Sequence, residues 1–236
     1  MRILITNDDG IDAPGIKKLA EIAVRFGEVT VIAPDGQRSA ASHQSTFGKP
    51  LVMKEHDLGL KGVKAYALSG TPADCVRVGV IKMMDPAPDL VLSGINNGYN
   101  MASDIQYSGT VGAALEAAFY GIHSIAVSIG NLDYMELVDK FLPELLEEYI
   151  NKPLGKDQVW NINFPECSCA DCRGVLRDMK VSKDDFYDDD ISVEKQPDGS
   201  MVLTEVAKRN WAASEGTDLR AIIDHFISVG VVNNIS

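Results

Sequence analysis

Two aspartates side by side, Asp8 and Asp9, follow at once on the apolar run Ile3-Leu4-Ile5. Like charges on neighbouring residues repel unless a cation or hydrogen bonds compensate them. One reading is therefore a divalent-cation site; the plain alternative is an Asx turn that caps the helix starting near Asp12. Further along, Ser39 and Ser42 lie beside Arg38 in a Ser-, Gly- and Gln-rich stretch, and Ser93-Gly94-Ile95-Asn96 closes another apolar run. Carboxylate, hydroxyl and amide oxygens suit hard ions such as Mg²⁺, Mn²⁺ or Ca²⁺ better than a zinc cage of His and Cys. A second group, Ser108-Gly109-Thr110, stands before the small-residue run Val111-Gly112-Ala113-Ala114. Free N–H groups at such a helix start, with two hydroxyls, make a phosphate site by geometry and dipole. The bland reading is a Ser or Thr N-cap with small residues for close packing. Metal and phosphate on one edge suggest phosphoryl transfer to a metal-activated water.

For these groups to meet, they must sit at the carboxyl ends of parallel strands, where open α/β sheets form their sites. The order of elements meets that demand. Strands are expected at Arg2–Thr6, Val29–Ala33, Leu51–Met53, Val63–Leu68, Asp89–Leu92 and Ser124–Ile129. Helices are expected from Pro14 to Gly27, Pro72 to about Met84, Thr110–Tyr120 and about Tyr134–Ile150. Long loops at 34–49 and 93–107 separate them, and long loops in compact domains usually serve function. The expected fold class is α/β, a Rossmann-like, mostly parallel sheet with helices on both faces. Residues 1–165 form the expected catalytic core. Residues 166–236 change texture, and the alternating segment Met201–Val206 suggests β-hairpins.

Composition narrows the function classes. Against 22 Lys+Arg the chain carries 34 Asp+Glu, a net charge of −12, which argues against nucleic acid polymers and anionic membranes as partners. The longest stretch free of Asp, Glu, Lys and Arg, residues 117–132, is too short and too polar to span a bilayer. With no signal-peptide shape at the N-terminus, the expected location is cytoplasmic, with reduced cysteines. Cys167, Cys169 and Cys172 lack a fourth ligand nearby for a closed zinc site. Cys75 falls on the apolar side of a helix and reads as core. His43 follows Ser39 in the first long loop and is a candidate general acid. Neither a P-loop nor a G-x-G-x-x-G fingerprint is present.

Five motifs in order then resemble the SurE survival-protein family. They are Asn7-Asp8-Asp9-Gly10-Ile11 with Ala13-Pro14-Gly15-Ile16, Arg38-Ser39-x-x-Ser42, Gly70-Thr71-Pro72-Ala73-Asp74, Ser93-Gly94-Ile95-Asn96-x-Gly98, and Tyr107-Ser108-Gly109-Thr110-Val111. The resemblance extends to Gly216-Thr217-Asp218. It implies a metal-dependent phosphohydrolase acting on nucleoside 5′-monophosphates, with 3′-monophosphates as further substrates. By the same resemblance Asp8, Asp9, Ser39 and Asn96 are the ligands of one divalent ion per subunit, Mg²⁺ or Mn²⁺. Asn100, Ser108, Gly109 and Thr110 hold the phosphate, and Asp8, Asp9, Asn96 and Ser108 carry the catalysis. A homodimer or homotetramer is implied, built through a C-terminal hairpin that reaches a partner subunit. Gly36 stands where the family usually has Arg, which leaves Arg38 as the local cation. Two readings from other classes share the acidic strand end: a receiver-like phospho-acceptor domain, and a haloacid-dehalogenase-type phosphatase with an Asp nucleophile. The first needs a phospho-acceptor Asp at a central strand end, where this chain has Ser93; the second wants Asp-x-Asp, where it has Asp8-Asp9.

Overall fold

The structure, a computed structural model, describes residues 1–210 and 212–234. In chain order the elements are β1 (Arg2–Thr6), α1 (Pro14–Ala23), β2 (Glu28–Pro34), β3 (Met53–His56), β4 (Lys64–Leu68), α2 (Pro72–Val78), β5 (Leu90–Asn97) and α3 (Gly109–Phe119). There follow β6 (His123–Ile129), α4 (Met135–Tyr149), β7 (Gln158–Phe164), β8 (Val175–Met179), β9 (Tyr187–Asp188), β10 (Ile191–Lys195), β11 (Met201–Glu205), β12 (Lys208–Arg209), α5 (Asp218–Ile223) and β13 (Ile227–Asn233).

Nine strands form one sheet in the order β3-β4-β2-β1-β5-β6-β7-β13-β8. From β4 to β7 the strands run parallel, so the expected α/β class holds. Their side chains alternate between two covered faces. Ile3, Ile5, Val29, Leu90, Leu92 and Val127 pack with Ile16 and Leu19 of α1 and Leu137 and Leu142 of α4. Leu4, Ile32 and Val91 pack with Cys75 and Val76 of α2 and Ala113 and Ala117 of α3. Strands buried on both faces read as unbroken apolar runs, which is why Ile3-Leu4-Ile5 does not alternate. Cys75 is core, as its helical position implied.

The structure departs from expectation in four places, the first being β3, which runs Met53–His56 rather than Leu51–Met53. β5 runs on to Asn97, past Ser93, where a loop was expected to begin. Its polar end keeps pairing with β6 (Asn96 to Ser128, Asn97 to Ile129) after an irregularity at 94–95, where Gly94 has φ +139°. Gly94 sits so close to the carbonyl of Val127 that a side chain there has no room. The helix expected from Pro72 to Met84 is α2 plus a wider-wound turn, Gly79–Met83. A further strand, β7, was not anticipated. β13 pairs antiparallel with β7, and β8 pairs with β13, so the chain beyond residue 166 returns to the same sheet. The β10–β11 hairpin stands outside it with every residue exposed. Among the described residues no helix is long and apolar enough to cross a membrane.

Candidate active site

Strand order reverses at β1, flanked by β2 on one side and β5 on the other. Beyond their carboxyl ends lie Asp8 and Asp9 after β1, the 35–52 loop after β2, and Asn96 at the end of β5. The turn after β1 is shaped by Asn7, whose amide nitrogen donates to the Gly10 carbonyl at 2.9 Å while its oxygen accepts from Gly10 N at 3.2 Å. Neither aspartate caps α1: its N-cap is Ala13, with no side-chain hydrogen bond. The capping alternative for Asp8 and Asp9 therefore falls away.

Asp8 is 4% exposed. The Thr110 hydroxyl donates to its Oδ1 at 2.6 Å. Gly109 touches it too: a methyl group at Gly109 would lie 2.9 Å from Asp8 Cβ and 3.0 Å from Oδ2. Glycine is what lets the start of α3 press against the acid pair. Burial pushes the Asp8 carboxyl up to about 6; the Thr110 hydrogen bond opposes this and the Asp9 charge adds to it. Half-buried Asp9 is also raised by burial, against the hydrogen bond its Oδ2 accepts from Asn97 N at 3.1 Å. Among the described residues neither carboxylate takes part in an ion pair.

Ser108 is the N-cap of α3, and its Oγ accepts from Val111 N at 2.9 Å. Capping and anion binding are compatible here. The oxygen is used inward, the hydroxyl hydrogen is left over, and the first N–H groups of the helix have no intrahelical acceptor. Ser39 is exposed and accepts from Gln37 Nε2 at 2.9 Å. Its neighbour Arg38 donates its backbone N–H to the Asp8 carbonyl at 2.7 Å, which brings the Ser39 segment against the acid pair. The Arg38 guanidinium itself pairs with Asp35 at 2.8 Å. Asn96 donates its amide nitrogen to the Gly98 carbonyl at 2.9 Å, so its Oδ1 remains an acceptor.

Asn100 is drawn into the sheet. Its Nδ2 donates to Ser128 Oγ at 2.7 Å and its backbone N–H to Asn163 Oδ1 at 2.8 Å. Its carbonyl accepts from Asn161 Nδ2 at 2.7 Å and Asn163 Nδ2 at 3.0 Å. These supporting residues escaped the reading of the sequence, whereas Asp218 stands in the Gly216-Thr217-Asp218 segment of the resemblance without a role assigned to it. Asp218 accepts from Ala102 N at 3.2 Å and Ser182 N at 2.8 Å, which ties the 98–107 loop to the C-terminal segment. The one available signal was two asparagines inside the otherwise apolar run Val159–Phe164.

Gly70-Thr71-Pro72-Ala73-Asp74 anchors the first long loop. Thr71 and Asp74 form a capping box on α2; Thr71 Oγ1 also donates to the Gln44 carbonyl at 2.5 Å, and Asp74 Oδ1 accepts from Thr46 N at 2.9 Å. His43, a candidate general acid, sits 2.6 Å from Glu116 Oε2. Glu116 lies six residues beyond Thr110, about 9 Å down the helix axis at ~1.5 Å per residue. That contact occupies one imidazole nitrogen with a carboxylate that is not part of the acid pair. No group of three His, Cys, Asp or Glu side chains suited to a metal occurs among the described residues, the 167–172 cysteines included.

The donor set left beside the acid pair is hydroxyl and amide oxygen, which fits a hard divalent ion. A family model described as Survival protein SurE matches residues 3–184. A protein named 5′-nucleotidase SurE from Clostridium botulinum (strain Kyoto / Type A2) is 38% identical over 235 residues, covering 97% of this chain and 91% of that one. Another of that name from Thermoanaerobacter sp. (strain X514) is 47% identical over 171 residues, 70% of this chain and 66% of the relative. The crystal structure of the SurE protein from Aquifex aeolicus superposes with a TM-score of 0.86 at 34% identity, covering 100% of this chain and 95% of the other. With the acid pair, the helix start pressed against it and matches over nearly the whole length, the chain belongs to the survival protein SurE family.

Proposed function

We propose that the protein is a metal-dependent phosphohydrolase that releases phosphate from nucleoside 5′-monophosphates, and also from 3′-monophosphates. One observation carries this reading: two adjacent, partly desolvated carboxylates without a cationic partner, against the N-terminus of a helix that has N–H groups to spare. The relatives named 5′-nucleotidase supply the substrate class. Asp8, Asp9, Ser39 and Asn96 are the oxygen ligands for one divalent ion, Mg²⁺ or Mn²⁺. When bound, the ion supplies positive charge and Lewis acidity at the phosphoryl group.

The chain's own residues do the rest. The Ser108 hydroxyl hydrogen and the Gly109 and Thr110 amides receive phosphoryl oxygens, aided by the helix dipole. Thr110 spends its hydroxyl on Asp8 and so fixes the direction of that carboxylate. Asn100, with its side-chain nitrogen, backbone N–H and carbonyl engaged inside the sheet, serves the phosphate site by holding the loop that leads to Ser108. Residues 166–236 form an extension whose exposed hairpin packs on a partner subunit in a homodimer or homotetramer.

A phosphate-release panel of 5′- and 3′-nucleoside monophosphates, run with Mg²⁺, Mn²⁺ or EDTA, tests the reading. Turnover of the 5′-nucleotides should require metal and fall at least 100-fold in Asp8→Asn and Asp9→Asn. Full turnover in EDTA, or a trapped aspartyl-phosphate, would overturn it.

A further inference from the structure

The carboxyl edge of the sheet carries a second feature that the metal and phosphate groups do not use. It is a cavity of about 330 Å³ lined by Tyr99, Glu166, Ile222, Ile223 and His225. Each residue reaches it from the edge that bears the acid pair. Tyr99 follows β5, Glu166 follows β7, and Ile222, Ile223 and His225 end α5 just before β13 starts beside the end of β7. One strand, β6, separates β5 from β7, so at ~4.8 Å per strand the cavity lies about 10 Å from Asn96, within the length of one nucleotide.

Its walls are mixed in a particular way. Tyr99 and Ile222 belong to a buried apolar cluster with Met101 and Leu219. The Tyr99 hydroxyl accepts from the Glu166 backbone N–H at 3.0 Å, which fixes the ring beside residue 166. Arg209 covers the Tyr99 ring, 5.6 Å from its centroid, and reaches Glu166 Oε1 at 3.4 Å. The cation offsets the charge of Glu166 without using its other oxygen. A concave space walled by Ile222, Ile223 and the Tyr99 ring, with polar groups from Glu166 and His225 at its rim, suits a flat, uncharged ring that carries N–H donors.

We propose that this cavity is the nucleobase site and that Glu166 reads the donors on the base's Watson–Crick edge. The inference rests on the nucleotide reading above and adds a specificity to it. A carboxylate only accepts hydrogen bonds. Guanine offers it a ring N–H and an adjacent amino group. Uracil offers one N–H between two carbonyls, whose oxygens face the carboxylate unfavourably. Guanine nucleotides are therefore the preferred substrates, because the carboxylate pairs with both guanine donors and meets a carbonyl oxygen on either side of the single uracil N–H.

The test compares kcat/KM for GMP, UMP and p-nitrophenyl phosphate, which has no base. In the wild type with Mg²⁺, GMP should exceed UMP at least tenfold. In Glu166→Gln the GMP:UMP ratio should fall at least fivefold while p-nitrophenyl phosphate turnover stays within twofold. Half-exposed ion pairs of this kind contribute little to stability, so this variant folds. Ile223→Trp, which fills the cavity from a half-exposed position, should raise KM for both nucleotides at least fivefold and spare p-nitrophenyl phosphate. A GMP:UMP ratio near one in the wild type, a ratio unmoved by Glu166→Gln, or nucleotide KM unmoved by Ile223→Trp overturns the base site. Turnover of p-nitrophenyl phosphate with none of either nucleotide sinks the nucleotide reading instead, and the base site with it.

Discussion

Asp8 shows most directly what one residue is asked to do. In the metal-free protein its carboxyl titrates near 6 rather than at the ordinary 3.8. The folded chain therefore holds a proton, between about pH 4 and 6, that the unfolded chain has released. By linkage, stability falls as pH rises through that window, and the penalty is complete above it. Asp8→Asn keeps an acceptor for Thr110 and removes the charge. In EDTA at pH 8 the variant should be more stable than the wild type by about 2–3 kcal/mol, since a shift of one pKa unit is ~1.4 kcal/mol. At pH 4 the difference should vanish. Urea denaturation at pH 4, 6 and 8 checks this, and an equal gap at all three values contradicts it. Added Mg²⁺ should stabilise only the wild type, so the same residue weakens the empty fold and strengthens the loaded one.

At the scale of elements, α2 acts as an anchor for the loop that carries Ser39. Thr71 both caps the helix and holds the Gln44 carbonyl. Thr71→Val keeps the shape and loses both bonds. It should cost about 1–2 kcal/mol of stability, as lost N-caps do, and weaken metal binding several-fold, as read from a thermal melt and a Mg²⁺ titration. A stable variant with native metal affinity would show that the loop holds itself. The elements that place Asp8, Asp9 and Ser108 to Thr110 were legible because each joins a local signal to a general rule: an apolar strand that ends in acids, a hydroxyl before a small-residue helix. β7 was not legible, because Asn161 and Asn163 interrupt its apolar run and their partner, Asn100, lies some sixty residues away. The polar end of β5 was missed for a related reason. Ser93 to Asn97 looks like a loop until β6 is there to pair with it. His43 illustrates the converse, since nearness in sequence to Ser39 did not reveal its contact with Glu116.

The whole molecule carries a net charge of −12, yet local sign decides what a small phosphate ester meets. In the proposed mechanism one divalent ion would cancel the charges of Asp8 and Asp9, and the start of α3 adds positive potential. The other global feature is the β10–β11 hairpin. Val193 and Leu203 face each other across it, 56% and 61% exposed. A lone two-stranded hairpin is marginal in water, and the proposed subunit contact would cover it. Val193→Glu with Leu203→Glu should lower the sedimenting mass to that of a smaller species, and an unchanged mass would place the subunit contact elsewhere. Asn100, finally, binds the phosphate-side loop to the buried side chains of three residues on β6 and β7. That stitch leaves the loop no slack. Its amide should exchange with solvent deuterium as slowly as those of the central strands, unlike most loop amides. Warming then cannot disarm the enzyme in advance of melting it: turnover and the tertiary circular-dichroism signal should vanish together, in a single cooperative transition.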